Sequence, residues 1–153
     1  MPHQIFYWSL LSGLLALVWL RGGLPERLVA SAWAVASILS TAAVVLRLGA
    51  YESLQFGVFM VDLALLGFLG WLSLKADRQW PLWVTGFHLV GVMTHIAKVL
   101  KPELHPWAYA VGQAGGGYLI MGTIALGTQR HWRRTRLTGP ERSWRPSSAP
   151  SAR

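Results

Sequence analysis

The sequence predicts an all-α integral membrane protein, and three of its features support that prediction. Of its 153 residues, 53% are hydrophobic and only 13% are charged, about half the charged fraction of a typical soluble domain. The charged residues are gathered in narrow bands between apolar segments. Most of those segments reach about 20 residues, the length that a helix needs to cross a bilayer. We therefore expect a transmembrane domain, residues 1–128, built as a bundle of about five helices.

Short polar turns separate the predicted helices and set their limits. The first span ends before Arg21 and the second before Arg47. The third ends at a charged turn, 75–79, and the fourth has Pro81 in its first turn, where proline is tolerated. A turn with two prolines, 101–106, precedes the fifth. The predicted spans are 5–20, 28–46, 53–74, 80–100 and 107–127.

Aromatic residues support these limits. Trp and Tyr concentrate within a few residues of the predicted span ends, the depth at which their amphipathic rings are favoured in a bilayer. Among the tryptophans of the spans Trp33 is the exception, because it lies well inside the second span.

Lys and Arg are distributed unequally between the two ends of the predicted bundle. Eleven lie in the turns after spans one and three and in the C-terminal segment, whereas three lie at the other end, namely Arg47, Lys98 and Lys101. Cytoplasmic segments of membrane proteins carry an excess of Lys and Arg. We therefore expect the N-terminus outside and the C-terminus in the cytoplasm. The expected location is a bacterial inner membrane, because the chain resembles small bacterial inner-membrane proteins in being short, tryptophan-rich and polytopic.

The C-terminal segment, 129–153, is predicted to be a basic, disordered cytoplasmic tail. It holds seven arginines and little apolar surface, so it cannot form a core of its own. Basic residues beside a final span usually fix topology and contact anionic lipid headgroups. A docking segment for an acidic partner is the alternative, and nucleic acid is not expected.

A few strongly polar residues interrupt the apolar spans and form the candidate site. Depth along the helices places Asp62 of span three between the levels of two histidines of span four, nearer the second of them. The same estimate of depth places Gln113 of span five at the level of His95. The predicted intramembrane polar cluster consists of Asp62, His88, His95, Lys98 and Gln113.

Helical phase supports this grouping. His88 and His95 are seven residues apart and so lie on one helix face, with the small Gly91 between them. Gln55 and Asp62 have the same spacing on span three, so Asp62 is expected opposite His95, and Gln55 near Lys98. Such a cluster either clamps the helices together or serves as a ligand or proton site, as intramembrane ionisable groups often do. The sequence leaves both interpretations open.

No cofactor is predicted, although membrane histidines require haem b to be considered. His88 and His95 are about 10.5 Å apart along one helix, so they cannot ligate opposite faces of one haem. A haem would need a second chain or a methionine such as Met60 or Met93. A metal held by Asp62, His88 and His95 is conceivable on spacing alone, but no metal site is predicted.

No catalytic motif is present, so we expect a non-enzymatic role. The chain lacks cysteine and shows no G-x-S-x-G, Walker or H-E-x-x-H pattern. The first hypothesis is an accessory or assembly subunit with a membrane-protein partner or a second copy. Span five has a G-x-x-x-G pattern, Gly112 to Gly116, that favours close helix packing. The alternatives are a small proton-coupled transporter using Asp62 and His95, and a haem- or quinone-binding redox component.

Overall fold

The described part of the chain forms five helices in a computed structural model, which confirms the predicted all-helical bundle. The structure describes the backbone of residues 2–46, 50–51, 54–101, 103, 106–139 and 143–144, and the side chains of 3–46, 56–101, 103, 115–139 and 143–144. The helices are α1 Pro2–Arg21, α2 Leu24–Val45, α3 Phe56–Lys75, α4 Trp80–Leu100 and α5 Pro106–Thr138. Two short strands, β1 Ala50–Tyr51 and β2 Leu54–Gln55, pair antiparallel between α2 and α3.

The helices are arranged as a ring. Each helix packs against the next one in sequence, and α5 closes the ring against α1 while also contacting α2. The α1 and α5 helices run parallel, because Phe6 lies beside Tyr118 near one end and Arg21 lies over Trp132 near the other. The buried core is mainly apolar and includes Leu11, Val18, Val29, Leu69, Leu72, Val84, Ile120 and Ile124.

The first four helices are each long and apolar enough to cross a membrane. The α5 helix is not among those four, and its side chains are described only from Gly115 onward. At about 1.5 Å per residue, its 33 residues extend for about 50 Å, longer than the hydrocarbon core of a bilayer. Since both ends of α1 contact it, α5 runs the whole length of the bundle.

Helix ends differ from the predicted ones where local chemistry extends a helix. The α2 helix begins at Leu24 rather than 28, with Pro25 in its first turn and Glu26 near its positive N-terminal dipole. The α5 helix continues eleven residues past Gly127, so residues 129–138 are helical where a disordered tail was expected. Gly139 ends it at φ 87°, a left-handed conformation that favours glycine, and donates its N–H to Thr135 O at 3.1 Å.

Two residues of the expected tail contact the turn between α3 and α4. Trp144 forms a β-bridge with Ala76, and the N–H of Asp77 donates to the carbonyl of Ser143 at 3.3 Å. Trp144 also packs against the apolar core. The disorder predicted for 140–142 and 145–153 falls outside the described residues.

Candidate functional site

Asp62 lies in the second turn of α3, a helix that is otherwise almost entirely apolar. An aspartate at the centre of a membrane helix costs about 2.5–3.5 kcal/mol to insert, so a partner is expected. Its Oδ2 atom lies 3.0 Å from Nε2 of His95 on α4. The His95 side chain is 1% exposed and the Asp62 side chain is 17% exposed. The pair is therefore enclosed on the histidine side and accessible on the carboxylate side.

His88 lies on the same face of α4 and contacts a different atom of the same aspartate. Its Nε2 is 2.9 Å from the backbone carbonyl oxygen of Asp62. A carbonyl oxygen can only accept a hydrogen bond, so Nε2 of His88 carries a proton. His95 faces a carboxyl group, and its Nε2 either donates to the ionised form or accepts from the protonated one. His88 thus binds the backbone of α3, whereas His95 binds the Asp62 carboxyl group.

Side chains of α1 and α2 surround Asp62 from the other side. The hydroxyl of Ser37 donates to the carbonyl of Trp33 at 2.9 Å, so its oxygen accepts from the Tyr7 hydroxyl, 2.7 Å away. The Trp33 ring stands edge-on to the ring of His88, with their centroids 5.7 Å apart. Its buried Nε1 lies near the Tyr7 hydroxyl but outside hydrogen-bonding geometry. These contacts link α1 to α2, and α2 to His88 of α4.

A polar cavity adjoins the Asp62 carboxylate. Its inner part has a volume of about 250 Å³, and its polar lining consists of Tyr7, Trp33, Ser37, Ser40, Thr41 and Asp62. An outer part of about 550 Å³ shares Tyr7, Trp33 and Thr41 with it and is also lined by His3 and Gln4. These two residues lie at the end of the bundle where α1 begins. We refer to the two parts together as the polar cavity.

A third, small space lies on the histidine side of Trp33. Its volume is about 50 Å³, and it separates Asp62 and His88 from the glycines of α4 and α5. The α5 backbone comes close there, since a Cβ on Gly116 would lie 3.6 Å from the carbonyl of Phe87, and one on Gly117 would lie 3.6 Å from the Trp33 ring. The α5 helix is continuous through these glycines, so they serve helix packing rather than a break.

The other two residues of the predicted cluster are Lys98 and Gln113. Lys98 lies one turn from His95 and is half-buried. The backbone of Gln113 is helical in α5, but its side chain lies outside the described residues, as does that of Gln55, whose strand β2 contacts α4. The structure thus brings together Asp62, His88 and His95 out of the five predicted residues.

Neither histidine of the cluster presents a free Nε2. Both Nε2 atoms bond to Asp62, one to its carboxylate and one to its carbonyl. Within the described residues, no group of three or more His, Cys, Asp and Glu is arranged to hold a metal ion. The set of Asp62, His88 and His95 is therefore arranged as a hydrogen-bonded network.

A second polar cluster, which the sequence did not predict, lies at the opposite end of the bundle. The guanidinium of Arg78 pairs with Glu26 Oε1, and its Nη2 lies 2.9 Å from Nδ1 of His131 on α5. The indole of Trp80 donates to the same Glu26 oxygen at 3.2 Å. Glu26 is fully buried and Arg78 is 7% exposed. This Glu26 cluster connects α2, the α3–α4 turn, α4 and α5.

The chemistry of the Glu26 cluster fixes one protonation site. Arginine can only donate, so Nδ1 of His131 accepts and carries no proton. Gly23 leaves room for this arrangement, because a Cβ there would lie 3.0 Å from both Glu26 Oε2 and His131 Nε2. Little in the sequence indicated this cluster, because a single Glu beside Pro25 in a turn with two arginines is typical of a solvated turn.

The fold and the site together define a class of protein, a helical membrane bundle with a titratable cluster and a polar cavity inside it. Comparison with protein-family models, with curated proteins and with solved structures finds no match to this chain. Its function is therefore inferred from the chemistry of the two clusters and the cavity.

Proposed function

We propose that this chain is a small proton-coupled membrane carrier that exchanges a proton at the Asp62–His95 pair. The observation that supports this most strongly is the asymmetry of the pair. A residue that only clamped helices together would have both carboxylate oxygens bonded inside packed protein. Here one oxygen bonds to a buried histidine, while the side chain retains 17% exposure to a polar cavity.

The titratable groups around this carboxylate suit such an exchange. His95 and His88 face it from α4, and the phenol of Tyr7 faces the same cavity from α1. From the described part of α5, Gly116, Gly117 and Ile120 line the small space beside Asp62, and the Tyr118 phenol lines the outer part of the polar cavity. No described Lys or Arg lines either part of the polar cavity, so the carboxylate is the dominant charge there.

The ends of the bundle differ in charge, and this supports an orientation for the carrier. Arginines gather at the end that holds the Glu26 cluster, which favours a cytoplasmic location for that end. The polar cavity then opens toward the outside, where His3 and Gln4 lie. The arginines at this end include Arg21, Arg27, Arg78, Arg130, Arg133, Arg134 and Arg136.

Infrared difference spectroscopy on the reconstituted protein tests the proposal. Lowering the pH should increase the intensity of the carbonyl-stretch band of a buried, protonated carboxyl group. The Asp62→Asn variant should lose that band, whereas Asp77→Asn should keep it, because Asp77 is exposed in the α3–α4 turn. If Asp62→Asn leaves the spectrum unchanged and only lowers the melting temperature, the pair is a clamp and the carrier proposal fails.

Cysteine labelling tests the orientation. The chain has no cysteine, so Thr138→Cys and Lys101→Cys each introduce a single thiol, at opposite ends of the bundle. A membrane-impermeant maleimide added to intact cells should label the second variant and not the first. The reverse pattern would contradict the proposed orientation.

An accessory or assembly subunit remains a second candidate, and one observation favours it. A groove of about 400 Å³ between α1 and α5 is walled by leucine, methionine and tyrosine side chains, and the small residues Ser9, Gly13 and Gly122 leave space within it. A Cβ on either glycine would have no neighbour within 4 Å, so there is space for the helix of another membrane protein. Native mass spectrometry should then show a partner or second copy that Gly13→Leu removes. A monomer in both proteins would exclude this candidate.

A further inference from the structure

We infer that the polar cavity binds a small organic ammonium ion, whose N–H group donates to Asp62. This inference rests on the proposed function, because it treats the Asp62–His95 pair as the proton site of a carrier. It adds the substrate class, which follows from the polar atoms, the aromatic walls and the size of the cavity.

Three hydroxyl groups that line the inner part of the cavity, those of Tyr7, Ser37 and Thr41, are set as acceptors. The Ser37 hydroxyl donates to Trp33 O, and the Thr41 hydroxyl donates to Ser37 O at 2.8 Å. The Tyr7 hydroxyl in turn donates to Ser37. Each hydroxyl has one proton, so what these groups offer the cavity is lone pairs.

The carboxylate adds both charge and a further acceptor. Oδ2 of Asp62 bonds to His95, and Oδ1 makes no hydrogen bond among the described residues. Together with the hydroxyl lone pairs, this oxygen makes the cavity rich in acceptors. A ligand that complements it brings N–H donors and a positive charge.

Aromatic rings favour an organic cation over an inorganic one. Tyr7 and Trp33 line both parts of the polar cavity, and Trp8 and Tyr118 line the outer part. Ring faces attract cations by about 0.5–2 kcal/mol each, and they also accept apolar carbon. A sodium site instead needs several oxygens converging on one point, whereas the oxygens here belong to helical positions spread over α1, α2 and α3.

Cavity size limits the ligand. The ligand must reach Asp62, which lines only the inner part of the polar cavity. That part, about 250 Å³, lies below the 300–1,000 Å³ that is roughly typical of sites for drug-sized molecules. An amine with a single ring or a short alkyl group is the class that fits.

Binding of the ammonium ion displaces a proton from the pair. In the proton-loaded form, one proton sits between Asp62 and His95 and a second neutralises the site. When the ammonium ion enters, its N–H donates to Oδ1, one proton leaves to water, and the net charge of the site is unchanged. No covalent bond of the ligand forms or breaks.

Calorimetry on the full chain in lipid nanodiscs tests this inference, with benzylammonium chloride as the probe. We expect saturable binding to the wild-type protein and heats that depend on the ionisation enthalpy of the buffer, which reports proton release. Benzyl alcohol, the neutral analogue, should bind at least tenfold more weakly. Asp62→Asn should weaken benzylammonium binding tenfold or more, and Asp77→Asn should not change it.

A second variant tests the inference even if Asp62→Asn does not fold. Thr41→Val replaces an acceptor by a group of similar shape and should weaken benzylammonium binding several-fold without changing that of benzyl alcohol. Equal binding of the two probes, sodium binding that depends on Asp62, or no binding at all would each overturn the inference. In those cases an intact infrared band of Asp62 would show that the proposed proton exchange survives without this substrate class.

Discussion

Nε2 of His95 lies 3.0 Å from Oδ2 of Asp62, across the contact between α4 and α3. A hydrogen bond at this distance requires at least one proton between the two groups. His88 donates to the backbone carbonyl of Asp62 and not to its carboxyl group, so it does not supply that proton. The Asp62–His95 hydrogen bond therefore holds at least one proton between two helices of the bundle.

Removing one member of the Glu26 cluster should strongly destabilise the protein. Glu26→Ala leaves the Arg78 guanidinium buried beside Trp80 and His131 without its carboxylate. Breaking a buried ion pair in this way costs about 3–5 kcal/mol. Equilibrium unfolding in mixed micelles, followed by tryptophan fluorescence, would measure the loss.

A double variant separates the ion pair from simple packing. Glu26→Met with Arg78→Met replaces both charges by apolar groups of similar length, and such replacements are often neutral. We expect the double variant to unfold at higher denaturant than Glu26→Ala. Additive losses from the two single substitutions would argue that the two side chains do not act as a pair.

Gly127 is required by the position of Trp80. A Cβ at residue 127 would lie 2.9 Å from two atoms of the indole ring, which also donates to Glu26. Gly127→Ala should therefore lower stability by about 1–3 kcal/mol through overpacking. Gly122→Ala on the same helix is the matched control, since nothing lies within 4 Å of its Cβ, and alanine gains about 1 kcal/mol in helix propensity. Equal melting of the two variants would contradict the packing assigned to Trp80.

Much of the bundle could be predicted because membrane helices are specified by local composition. Apolar length located α4 to the residue, and depth along a hairpin placed Asp62 opposite His95, since antiparallel neighbours of fixed rise keep their register. Extension of α5 to Thr138 was missed because its last turns are basic, and their helicity depends on Gly139 and on contact of Trp132 with Arg21.

The Glu26 cluster and the polar cavity could not be predicted from apolar length and helix depth. Glu26 and Arg78 are 52 residues apart and meet only because the ring closes around them. Rotation of each helix about its axis decides which polar atoms face inward, and hydropathy does not report it. Trp33 was the one visible sign, a tryptophan away from the interfacial bands, and it lines both parts of the polar cavity and the small space beside His88.

His88 should matter for stability more than for proton exchange. His88→Leu removes the donor to the Asp62 carbonyl, and a lost hydrogen bond of this kind costs about 0.5–1.5 kcal/mol. His88→Gln keeps an N–H donor and should recover part of the loss in unfolding measurements. Both variants should retain the infrared band of Asp62, whereas His95→Gln should shift it. Loss of the band in His88→Gln would contradict the division of roles between the two histidines.

Trp144 should tie the C-terminal segment to the membrane domain. Its backbone pairs with Ala76, and its half-buried side chain packs on the core beside the turn that carries Arg78. Trp144→Ala removes part of that apolar contact, and we expect a loss of about 1–2 kcal/mol in unfolding free energy, below the cost for a fully buried tryptophan. Trp144→Phe keeps a ring in the same place and should lose less than half as much.

The contact can also be followed directly, because Ser143→Cys introduces a single thiol into a chain without cysteine. Maleimide should label this thiol more slowly than one introduced by Thr138→Cys, whose site is exposed. Equal labelling rates, together with an unchanged stability of Trp144→Ala, would show that the segment does not dock on the α3–α4 turn.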